Sequence, residues 1–181
     1  MKRLLPVILF TFVLNACNPS NTVDGPTSNE TNSTVQTMPE DMPNDFGFSI
    51  QFGVGKNNEI DTFKGTVTKD LIEDGTATAA VTFSDEELAA IYEEMKDVRI
   101  IEAKKFIPDP INGTVCVQEP HEEDQWKITI NGETITHSFS EEYCEPTNDA
   151  KQLLELRNYV FSLIKSKEAY LLLPESTGGY D

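Results

Sequence analysis

Positive charge is scarce in this chain. Against 31 Asp and Glu there are 14 Lys and Arg in 181 residues, a formal net charge of −17. A surface so acidic repels nucleic-acid phosphates and anionic lipid headgroups, so no nucleic-acid partner is expected; basic partners or divalent cations are the ions it would favour. Histidine is nearly absent, with only His121 and His137, and the three cysteines (Cys17, Cys116, Cys144) include no Cys-x-x-Cys pair. That spacing argues against a zinc site and a redox dithiol. There is no Gly-x-Ser-x-Gly, no phosphate-binding Gly-rich loop and no dinucleotide fingerprint, so no cofactor is expected. Missing motifs do not exclude an enzyme, since catalytic groups assemble in space. Nor does any apolar run reach the roughly 20 residues of a spanning helix.

What is present begins at the N-terminus. Lys2 and Arg3 precede an apolar run, Leu4 to Leu14, broken by Pro6 and Thr11, and a small residue, Ala16, stands before Cys17. This is the pattern of a secretory signal peptide. Leu14-Asn15-Ala16-Cys17 resembles the lipobox of bacterial lipoproteins, although Asn15 is larger and more polar than the usual residue there. The resemblance implies a signal peptide over 1–16 and a lipid, such as palmitate, on Cys17. It implies a chain tethered to the membrane at the outer face of the cytoplasmic membrane, in the cell envelope. Without the leader, 12 basic residues face 31 acidic ones, a net −19.

Residues 17–45 read as the lipidated Cys followed by an acidic tether rich in Ser, Thr, Asn and Pro. From 18 to 45 it carries Asp24, Glu30, Glu40, Asp41 and Asp45 and no Lys or Arg. Such a stretch cannot bury enough surface to offset its ordering entropy. As a flexible coil it would span on the order of 30 Å. Residues 46–181 form one globular domain, too small for the two closing lobes of a solute-binding protein. Within it, Cys116 and Cys144 make an even pair in an oxidising compartment and read as one disulfide, two free thiols being the alternative.

Phe46, Phe48, Ile50, Phe52 and Val54 alternate with small or polar residues, the signature of a strand with one apolar face. Further strands fit Thr62–Ile72 in part and Thr76–Phe83, with a type I′ turn at Asp74-Gly75. Ser84 and Glu87 make a capping box that opens a helix carrying Leu88, Ile91, Met95 and Val98 on one stripe. Trp126, Ile128 and Ile130, then Asn131-Gly132, then Ile135, His137 and Phe139 define a second hairpin. A two-residue turn pairs Ile130 with Glu133, Ile128 with Ile135 and Trp126 with His137. A strand near Thr114–Gln118 would precede it in a meander and bring Cys116 within reach of Cys144.

A helix over roughly 149–167 buries Leu153, Leu156, Val160, Leu163 and Ile164. Leu171 to Pro174 is expected to pack down, and the last four residues to fray. The expectation is an α+β fold: an antiparallel sheet, mostly meander and hairpins, with two helices on one face. The order strand-strand-strand-helix occurs twice and raises a βββα duplication.

Candidate chemistry is sparse. His121, Glu122, Glu123 and Asp124 share an acidic hairpin loop that could offer hard oxygen ligands to a divalent cation, but without an Asp-x-Asp-x-Asp-Gly loop a solvated acidic turn is the better account. His137 projects to the apolar face, as a core histidine or a general base. Asp61–Asp70, Leu88–Met95 and the Leu-Pro…Gly-Gly-Tyr ending resemble small uncharacterised lipoproteins of Gram-positive bacteria, a resemblance that carries no activity. Lys64 and Lys69 stand out as basic residues in an acidic chain, and paired sheet-surface lysines facing solvent explain them at least as well as a ligand contact. The expected function is a non-catalytic, lipid-anchored interaction or regulatory module with an envelope protein partner. The alternatives are a small envelope enzyme using His121 or His137, and an acidic cation-binding module.

Overall fold

The strand beginning at Gly47 becomes the centre of the molecule because both of its edges are paired. The computed structural model describes residues 37–180. Cys17, the expected leader and the tether up to residue 36 lie outside the described residues. The strands are β1 (Gly47–Gly53), β2 (Asn58–Asp61), β3 (Thr66–Ile72), β4 (Gly75–Ala80), β5 (Glu123–Ile130) and β6 (Glu133–Ser140). The helices are α1 (Asp85–Asp97), α2 (Asn148–Lys165) and the one-turn α3 (Glu168–Leu171). All six strands form one antiparallel sheet in the order β4-β3-β2-β1-β5-β6. The fold is α+β.

One face of the sheet is apolar. Phe48, Ile50, Ile60, Val67, Trp126, Ile128 and Phe139 point to it and meet Ile91 and Met95 of α1 and Leu153, Leu156, Val160 and Ile164 of α2 in a single core. The alternation of β1 decides this, since a one-residue slip would turn Phe48, Ile50 and Phe52 to solvent. Fully burying each such side chain contributes about 1.5–3 kcal/mol. Ser84 accepts from the Glu87 N–H (3.2 Å) and Glu87 accepts from the Ser84 N–H (2.8 Å), so the capping box forms as expected. Thr147 caps α2 through the Ala150 N–H.

The β5–β6 hairpin has the expected register, Ile130 opposite Glu133, Ile128 opposite Ile135 and Trp126 opposite His137. Asn131 (φ 52°) and Gly132 (φ 77°) both take the positive φ that a type I′ turn requires.

Five expectations are corrected. The β3–β4 turn is not type I′ at Asp74-Gly75: Gly75 has positive φ (77°), but the other such residue is Ile72 (64°), at a register shift. The bulge takes up a residue that a two-residue turn cannot. Thr114–Gln118 is not a strand of the sheet, because β1 occupies that edge of β5. It pairs instead with the segment after β6, through Val117 opposite Tyr143. The second half thus supplies two strands and the first half four, so the βββα duplication is not there.

Residues 37–45, read as the end of the tether, pack on the domain. Met38 touches the core, Pro39 O accepts from Tyr92 OH (2.9 Å), and Asp45 accepts from the N–H groups of Asn131 and Gly132. At the other terminus the expected packing holds for Leu173, which lies against the core, and not for its neighbours. Leu171 and Leu172 are exposed, whereas Ser176–Tyr180 docks on the β3–β4 hairpin. There Thr177 forms a parallel bridge with Ile72, and Tyr180 OH donates to Asp70.

Candidate functional site

The four residues proposed as cation ligands do not converge. His121 lies in the segment leading into β5 rather than in a hairpin loop, with Nδ1 2.9 Å from a Glu119 oxygen. Glu123 turns to the open face and pairs with Lys56 (2.8 Å). Glu122 and Asp124 go to a different cation, Arg157 of α2. Among the described residues no group of three or more His, Cys, Asp or Glu is placed to hold a metal ion.

Arg157 is the strongest concentration of charge in the interior. Its Nη1 donates to Glu122 (2.7 Å) and Asp124 (3.0 Å), its Nη2 to Glu141 (3.1 Å), and its plane lies 5.2 Å from the Phe52 ring centre. One buried guanidinium thus faces three carboxylates. Burial pushes Asp124 up to about 7 against the pull of Arg157, with Glu141 and Glu122 adding to the rise. Burial likewise raises Glu141, and Arg157 opposes it. Asp124 Oδ2, Arg157 Nε and the nearby Trp126 Nε1 have no hydrogen-bond partner among the described residues. The cluster ties α2 to β5 and to the chain leaving β6. Each of its three acids gives one oxygen to Arg157.

This cluster was missed in the sequence, but a signal for it exists. Leu153, Leu156, Arg157, Val160 and Ile164 follow the i, i+3, i+4, i+7 spacing of a core stripe, which places the guanidinium inside. A buried cation there requires carboxylates, and only strand-borne or loop-borne ones can reach it.

His137 is buried beside Trp126 as expected, its Nε2 bonded to Ile100 O and its ring edge-on to Phe106 at 6.0 Å. Burial lowers its pKa, partly offset by the Ile100 carbonyl. An imidazole that clasps the Ile100 carbonyl beside the Phe106 ring fastens that loop to β6.

Cys116 and Cys144 are joined by a disulfide, with Cα atoms 5.5 Å apart. The route differs from the expected meander. Cys144 N–H donates to Cys116 O and Gln118 N–H to Glu142 O, so the two cysteines oppose each other in a short ribbon of their own. Beside them a cavity of about 500 Å³ is lined by Pro108, Ile111, Val115 and both half-cystines. Exposed Ile107, Ile111 and Val117 surround this region, and its ionisable lining is Asp109 and Glu145.

The open face of the sheet is polar and shallow. One row crosses all six strands as Thr78, Thr68, Glu59, Gln51, Gln125 and Ser138. Lys64 stands there on Asp61 (2.8 Å), whereas Lys69 points to the helix side under the Tyr170 ring. They are therefore not a pair of solvent-facing lysines. Lys64 belongs to the turn between β2 and β3, whereas Lys69 lies in β3 on the same side as Val67, since residues two apart in one strand share a face. Phe63 folds over this face at Gly47, where an added Cβ would meet its ring at 2.7 Å.

No family model matches this chain, and neither a curated protein nor a solved structure matches it.

Proposed function

We propose that this protein is a lipid-anchored, extracytoplasmic interaction or regulatory module of the bacterial cell envelope, acting by binding rather than by catalysis. The observation that carries this reading is the Cys116–Cys144 disulfide, which is consistent with an extracellular protein and so agrees with the lipobox-like leader ending at Cys17. No helix among the described residues is long and apolar enough to cross a membrane, so attachment in this reading rests on lipid at Cys17. Support also comes from the fate of the polar interior. His137 is bonded to a main-chain carbonyl, and Asp124, Glu122 and Glu141 share one arginine.

Two measurements test the reading. Incorporation of a palmitate analogue in the native host should label the protein and vanish in Cys17→Ala. Crosslinking of the lipidated protein in its own envelope should return one reproducible partner. Absence of label rejects the anchor, and an empty crosslinking result rejects the module.

A further inference from the structure

The sheet edge at β4 is built unlike the rest of the surface. From Gly75 to Phe83 there is no charged residue, in a chain of net charge −17. Val81 N–H donates to Gly65 O (2.9 Å), and Ala79 and Ala77 stand opposite Val67 and Lys69. The odd-numbered residues therefore spend their main-chain groups on β3, and those of Thr76, Thr78 and Ala80 point outward. Native edges are usually blunted by charge, proline or a bulge. Here the register shift lies before the strand, at Asp70/Ile72, and none of these devices falls within Gly75–Ala80.

On the helix side α3 packs against β4. Its Tyr170 lies over Lys69, directly across from Ala77, and Leu171 and Leu172 are 67% and 78% exposed. Acids return at both ends of the strand, Glu73 and Asp74 at one and Asp85 and Glu86 at the other, all exposed, while Glu175 is paired with Lys69 (3.5 Å).

Free main-chain groups, an apolar shelf and acids at both ends fit one kind of occupant. We infer that β4 is a docking edge for an extended segment of a partner polypeptide, small or apolar along its middle and basic at its ends, which adds as a seventh strand. Main-chain pairing supplies affinity, and side chains alternating to the helix side pack against Ala77, Ala79 and the exposed leucines. The basic ends meet the acids and set partner choice. A second copy of this chain would instead bring those acids against one another. The opposite edge, β6, stands where the chain enters the domain, since Thr37 and Pro39 line a groove with Glu133 and Ile135. β4 faces away from that entry. This rests on the interaction-module reading and names the partner's chemistry.

The test is fluorescence anisotropy with the whole chain and a peptide alternating Val and Thr between Lys-Lys ends. A companion peptide carries Glu-Glu ends. The Lys-ended peptide should bind, and the Glu-ended one should bind on the order of tenfold more weakly or worse. Thr78→Pro removes an outward N–H that β3 does not use and should abolish binding. Thr136→Pro, at the matching position on β6, should leave it intact. If circular dichroism shows Thr78→Pro unfolded, Thr78→Lys takes its place and should weaken the Lys-ended peptide to a similar degree. Equal binding of both peptides, undiminished binding by a folded Thr78 variant, or no binding at all overturns the inference. So does a wild-type dimer in light scattering that Thr78→Pro dissolves, which makes a second copy the occupant. An envelope partner that the Thr78 variant still captures rejects the β4 edge alone, whereas a wild-type protein that captures nothing rejects the module reading beneath it.

Discussion

The two ends of the sheet are secured by different kinds of interaction. At the β6 end one arginine binds three carboxylates, a disulfide closes the loop region, His137 holds Ile100, and Asp45 clasps the hairpin turn. At the β4 end an uncharged strand of small side chains is backed by a short C-terminal segment with a few hydrogen bonds through Ser176, Thr177 and Tyr180. Ionic and covalent fastening is concentrated where long connections must be closed, between α1 and β5 and between β6 and α2. The β4 end is a continuous meander whose neighbours in sequence are neighbours in space, and it needs less.

Arg157→Met should break this comparison hardest. Removing one partner of a buried ionic cluster typically costs about 3–5 kcal/mol, because the remaining charges stay buried. Urea denaturation at pH 8 should show that loss, and it should shrink below pH 6 as the carboxyls take up protons. Replacing both Cys116 and Cys144 by Ala should cost roughly 3–4 kcal/mol in the chain-entropy account, measured by thermal melting without reductant.

Asp124→Asn sharpens the comparison through pH. The folded chain keeps the Asp124 proton to about pH 7, whereas the ordinary value is 3.8. Between those values the native state holds the extra proton, so this group's contribution to stability falls as pH rises and levels off above about 7. The Asn variant should lose that slope between pH 4 and 7, and an unchanged slope would assign it to other groups. Tyr180→Phe, at the β4 end, should cost only about 1 kcal/mol and speed amide exchange in β3 and β4. A loss there as large as that of Arg157→Met would erase the contrast between the ends.

Legibility in the sequence followed the same division. The β5–β6 hairpin was readable to the residue because Asn131-Gly132 fixes the turn and strict alternation fixes the register. The α1 capping box and the α2 stripe were readable for similar local reasons. β2 was not, since Asn58–Asp61 offers a single core side chain, Ile60, within four residues. The pairing of β1 with β5 joins residues 70 (Gly53 and Glu123) to 82 (Gly47 and Thr129) positions apart, and no local pattern announces it. The disulfide was readable from compartment and parity, but its ribbon was not. The docking of residues 37–45 was not legible, because apart from Met38 on the core their contacts are made by main-chain oxygens and by Asp45, which composition does not reveal. β4 was readable as a strand over Thr76–Phe83, yet its place at the end of the sheet depended on the pairing order of the described strands.

The contacts of residues 37–45 also have a mechanical meaning. Anything joined to the chain ahead of residue 37 pulls first on Pro39 against Tyr92, Glu40 against Lys96, and Asp45 against the Asn131-Gly132 turn. Tension applied ahead of residue 37 would be shared among these bonds before it reached β1, so the strand at the centre of the core would be shielded from direct peeling. Load enters the domain at the tip of its most regular hairpin, and the β4 edge at the far side carries none of it.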